Sequence, residues 1–167
     1  MPKSSFGKIA IDNLSNWYYH KDMKKVLLLI VLVMFVGISS AKAVDSYELF
    51  WPMVAGKLPG ESMYSLKLLK ENLRGALIFG TVQKSEYKIF IAAKRILEAE
   101  KLLSLAKNDL ALKSLNTCLG YLQKVDKNGI STDAQSRLKN IKDLAKYLDA
   151  KYPDSSDINV VLKKITE

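Results

Sequence analysis

Residues 82–107 read VQKSEYKIFIAAKRILEAEKLLSLAK. Within this stretch Ile89, Ile96 and Leu103 recur every seven residues, and Ala92, Ala99 and Ala106 recur at the same interval. That is an a/d seam over three heptads, with a small residue at every second core position so that a neighbouring helix can come close. The expectation is packing against another helix of the same chain. A homodimeric coiled coil is the alternative, since three heptads are its minimum.

On the C-terminal side, Asn108-Asp109 breaks the helix, and residues 110–127 present Leu112, Leu115, Leu119 and Leu122 beside Ala111, Cys118 and Val125. So wide a stripe meets two neighbours, and Asn128-Gly129 stops it. Thr132 with Gln135 has the spacing of a capping box. It opens a helix whose stripe is Ala134, Leu138, Ile141, Ala145, Leu148 and Tyr152, ended by Pro153. Ser155 or Ser156 caps a short last helix bearing Ile158, Val161, Leu162 and Ile165. On the N-terminal side, residues 62–79 form a helix with Ser62 as N-cap and Leu66, Leu69, Leu73, Ala76 and Leu77 as its core face. Gly80 closes it and Thr81 caps the next. Gly75 and Gly120 each mark either a close crossing or a tolerated defect.

No run alternates apolar and polar residues, and no proline stands between Pro59 and Pro153. The fold class is therefore all-α: a helical hairpin extended into a small antiparallel bundle. Residues 62–167 make the helical domain. Residues 44–61 precede it as an extended aromatic and proline strap without helical period, turning at Pro59-Gly60.

The remaining N-terminal part reads as an address. Residues 26–38 (VLLLIVLVMFVGI) are thirteen residues without a charge, preceded by Lys21, Lys24 and Lys25 and followed by the small residues Ala41 and Ala43. This is the layout of a secretory signal peptide, with cleavage expected after Ala43 or Ala41. Thirteen helical residues rise about 20 Å, short of the roughly 30 Å hydrocarbon core. A retained N-terminal anchor is the alternative. Met23-Lys24-Lys25 would itself begin a complete signal, so translation starts either at Met1 or at Met23. The chain is expected to be exported, extracytoplasmic or secreted, or held at the membrane through residues 26–38.

One local pattern is shared with a known family. Tyr47, Leu49 and Trp51-Pro52 are followed by Leu58-Pro59-Gly60, then Met63-Tyr64-Ser65-Leu66-Lys67, then Ala93-Lys94-Arg95-Ile96-Leu97-Glu98-Ala99, then Asp109-Leu110-Ala111-Leu112. Over roughly residues 47–127 this resembles the bacterial extracytoplasmic family known as domain of unknown function 5667. The resemblance implies a signal or anchor ahead of a helical hairpin, and it implies no activity. Met63 stands for the usual Leu of that family, and Ala93 where an acidic residue often precedes Lys-Arg.

Chemistry is sparse. The chain of 167 residues has one His and one Cys, too few for a zinc site or a disulfide framework. His20 falls in the address, so the mature part lacks the usual general base. Cys118 lies on an apolar face, where a free Cys behaves as core filler; a reactive thiol is the alternative. Glu98 and Glu100 diverge on a helix and form no acid/base pair. No phosphate loop or hydrolase motif is present. No catalytic residue, metal or cofactor is expected, and the protein reads as non-enzymatic.

The net charge is +9, and +5 from Val44 onward because six basic and two acidic residues precede it. The bases are mostly lysines interspersed with acids, without interleaved aromatics, which argues against nucleic acid. The expected function is a protein-interaction or structural module of the bacterial cell envelope. Its partner would be an unknown envelope protein or a second copy, and its candidate interaction strap Tyr47, Trp51, Pro59, Gly60, Tyr64 and Lys67. The alternative is a peripheral binder of anionic envelope polymer or lipid through lysine-rich helix faces, with weak membrane-surface contact.

Overall fold

A computed structural model describes residues 46–167. The expected export segment, the alternative start at Met23 and the cleavage positions Ala41 and Ala43 lie outside the described residues. Among the described residues six helices follow one another: α1 (Ser46–Phe50), α2 (Tyr64–Ala76), α3 (Thr81–Ser104), α4 (Asn108–Leu122), α5 (Thr132–Lys151) and α6 (Ser156–Thr166). No strand occurs among the described residues. None of these helices is long and apolar enough to cross a membrane.

The seam helix α3 is the centre of the fold. Ile89, Ala92, Ile96 and Ala99 are completely buried and Leu103 nearly so. They pack chiefly against α4, which turns back after a three-residue connection, so the seam is satisfied within the chain. The third alanine of the repeat does not join it. α3 ends at Ser104, and Ala106 is exposed at φ +55°. The Lys107 N–H bonds Leu102 O at 2.9 Å and the Ala106 N–H bonds Leu103 O at 3.0 Å. This is a Schellman closure with alanine in the left-handed position that glycine usually fills. Without a glycine there, the periodicity overran the end.

From α4 the core takes Ala111, Leu115 and Cys118; from α5, Ala134, Ile141, Leu144, Ala145 and Leu148; from α6, Ile158, Val161, Leu162 and Ile165. The cap of α5 sits one residue earlier than its sequence suggests. Ser131 accepts the Ala134 N–H, while the Gln135 amide donates to Ile130 O. Glu86 also accepts from the Ser131 N–H at 2.8 Å, tying this helix start to α3. The segment before Pro59 opens with the helical turn α1 rather than running extended throughout. Phe50 of α1 is buried, and Asn140 of α5 donates to Leu49 O at 2.6 Å.

α2 departs most from expectation. It begins at Tyr64, with Met63 at φ +66° before it, so Ser62 is not its cap. Its supposed core face points outward: Leu66 and Leu69 are each 53% exposed, Leu73 58% and Leu77 73%. The polar face is the one turned in. Gly75 lies on that inward side, where a Cβ would stand 3.0 Å from the Tyr87 ring, so a side chain rather than a backbone approaches it; Gly120 faces open space.

Candidate functional site

The inward face of α2 carries Tyr64, Lys67 and Glu71, whose spacings of three and four residues place them along one side of the helix. Opposite stand Lys94, Arg95 and Glu98 of α3. Arg95 bridges the two carboxylates, one guanidinium nitrogen bonding Glu71 and the other Glu98. Lys94 adds a bond to Glu71 at 2.7 Å. Glu98 is wholly buried and accepts also from Tyr64 Oη at 3.1 Å and from Lys67 Nζ at 2.5 Å. Tyr87 of α3 donates to the Glu71 carbonyl at 2.8 Å. α2 is thus held to the bundle by long polar side chains rather than by close backbone packing.

Burial disfavours ionisation of Glu71, but the bond from Lys94 and the charge of Arg95 outweigh it and hold the carboxyl below its usual range. Burial likewise works against the charge on Arg95, and Glu98 with Glu71 more than restores it. Burial, reinforced by the Glu98 charge, pushes the Tyr64 phenol well above its ordinary value, so it stays a hydrogen-bond donor. Every anion here is answered by a cation, as burial of charge requires. Arg95 Nε is buried without a partner among the described residues.

Lys67 also fastens the strap. Its ammonium has three donors, and they go to Glu98, Ala55 O at 2.5 Å and Lys57 O at 2.8 Å. Leu58 and Pro59 are buried beyond this clamp, and the Leu58 N–H is taken by Glu61 at 3.1 Å. Gly60 turns at φ +88°, and a Cβ there would come within 3.3 Å of Leu110. Of the candidate strap, Tyr64 and Lys67 thus turn inward onto Glu98 and Pro59 is buried, while Gly60 stays exposed at the turn. Tyr47 and Trp51 do not join them; they meet each other edge to face at 4.6 Å and are more than half exposed.

With this geometry in place, the comparison with known families gives one match, to the family described as a domain of unknown function (DUF5667), over residues 56–156. The chain belongs to that family. The DUF5667 region thus runs from Gly56 in the clamped strap to Ser156 at the start of α6, beginning later and ending further along the chain than the resemblance over residues 47–127 suggests. No curated protein and no solved structure matches the chain. The ionic network lies wholly inside the DUF5667 region, as does the outward leucine face.

A cleft of about 640 Å³ runs between the strap and the second half of α3, lined by Val54, Gly56 and Leu58 on one side and by Leu97, Glu100 and Lys101 on the other. Glu100 lines this cleft while Glu98 is buried in the network, so the two carboxylates do diverge. Cys118 is completely buried and burial pushes its thiol up to about 12, as befits core filler.

Sequence reasoning missed Glu71, Lys94, Arg95 and Glu98 as one group. A signal was available: Arg95 and Glu98 sit in the most apolar stretch of the central helix, where charges need partners from another element.

Proposed function

We propose that this DUF5667 domain is an exported, non-enzymatic docking module of the bacterial cell envelope, and that the outward face of α2 is its working surface. The observation that carries the reading is the inverted orientation of α2. An amphipathic helix ordinarily turns its apolar face to the core; here a buried ionic network binds the polar face and leaves four leucines in water. Exposed apolar patches on that scale mark interaction sites. The non-enzymatic part is supported by the side chains themselves: Glu71 and Glu98 are saturated by cations, and Cys118 is sealed in the core. Export rests on the charge-free run at residues 26–38 and its flanks.

The test is site-specific photo-crosslinking in intact cells, with the crosslinker replacing Leu73 or, as control, the exposed Asn116 of α4. One recurring adduct from position 73, absent from position 116, is expected. Equal or no adducts at both would contradict the reading.

Peripheral binding to anionic material is favoured by a specific observation. Several lysines of the other faces are committed to protein acceptors: Lys88 to Lys124 O, Lys94 to Glu71 and Lys142 to Thr166 O. Lys70 and Arg74, beside the leucines, pair with no carboxylate among the described residues.

A further inference from the structure

The partner class can be read from what borders the leucines. Between residues 62 and 85 the only acid is Glu71, and it is buried and paired. Every exposed charge in that stretch is positive. At 100° per residue, Lys70 and Arg74 stand one turn apart along one edge of the leucine stripe. Past the helix end Phe79 is 82% exposed as well. No cavity among those described is lined by these leucines. The stripe is an exposed apolar face with a basic edge.

Such a face suits the boundary of an anionic bilayer. Leucine and phenylalanine side chains enter the acyl region while the long stems of Lys and Arg carry their charges back to the headgroups. An antiparallel second copy fits less well, because pairing through the stripe would bring two unneutralised Lys70–Arg74 edges to the same side. We propose that the outward face of α2 docks on an anionic lipid surface, its leucines at the acyl boundary and Lys70 and Arg74 on phosphate headgroups. This rests on the reading of that face as the working surface and names its partner.

The test places a thiol-reactive fluorophore on the full chain at Leu69→Cys, with Asn116→Cys as control; Cys118 is buried and stays unlabelled. Vesicles are phosphatidylcholine alone or with phosphatidylglycerol, each carrying a nitroxide on the upper acyl chain. The label at position 69 is expected to be quenched on the anionic vesicles and the label at 116 on neither. Each basic residue near an anionic surface contributes about fivefold, so Lys70→Gln with Arg74→Gln should lower the docked-to-free ratio roughly thirtyfold. Circular dichroism checks that this variant keeps its helices.

Equal quenching on both vesicle types, or none, overturns the proposal. So does shielding of the label by rising protein concentration without lipid, which would make the occupant a second copy. If position 73 crosslinks to a protein in cells while the label never meets lipid, the docking face stands and the lipid assignment falls. If neither occurs, both fall.

Discussion

α2 and α6 are both short helices with a clean apolar stripe and a polar opposite face, yet they sit in the molecule in opposite senses. α6 buries Ile158, Val161, Leu162 and Ile165 and leaves Asp157, Lys163 and Lys164 in water. α2 buries Glu71, half-buries Tyr64 and Lys67, and leaves its leucines in water. The difference lies in what each helix meets. α6 lies against apolar surfaces of α4 and α5. α2 meets the one place on α3 where a buried Arg and a buried Glu stand side by side, and only complementary charge satisfies such a surface. Periodicity reports that a helix has two faces; the partner decides which is used.

The largest effect that would break this contrast comes from the network. Glu98→Ala leaves Arg95 buried with one carboxylate and Lys67 with none. Loss of one partner from a buried charge group costs about 3–5 kcal/mol, to be read from urea unfolding. Next, Leu162→Ala in α6 should cost about 2–5 kcal/mol, whereas Leu73→Ala in α2 should stay within about 0.5 kcal/mol. Similar costs for the two leucines would erase the distinction between the helices.

Acid sharpens the contrast. The Glu71 carboxyl is held below its ordinary value of 4.5, so its contribution to stability is full above that value and is lost as pH falls through the lower, folded one. Comparing wild type with Glu71→Gln between pH 7 and pH 3, the stability gap should be wide at neutral pH and close in acid. A gap that widens in acid would reverse the sign. The smallest effect is at α5, where Ser131→Ala should cost about 1 kcal/mol, as loss of an N-cap does. Thr132→Ala should cost less, because Ser131 makes the cap bond.

Much of the bundle was legible in the sequence because its signals are local. The seam of α3, the stripes of α5 and α6, and the all-α class follow from spacing alone. Helix ends were less so. Ala106 closes α3 in a conformation that only a glycine would have announced, and Ser131 and Thr132 compete for one capping role. The Pro59-Gly60 turn was visible, and Tyr64 and Lys67 stood in the candidate strap. Their inward direction was not visible, because it depends on Glu98, thirty-one residues beyond Lys67. The outward leucines were read as core for the same reason: an ionic surface on another helix leaves no mark in the periodicity of α2.

The most direct test of the inverted helix is a cysteine scan along α2, read by the rate of modification with a water-soluble maleimide; buried Cys118 supplies no competing thiol. Cysteines at 66, 69, 73 and 77 are predicted to react fast and those at 68, 71 and 75 slowly, a fast phase that follows the leucines. Protection at the leucine positions with fast reaction at 71 and 75 would contradict it, placing α2 on the bundle in the ordinary sense.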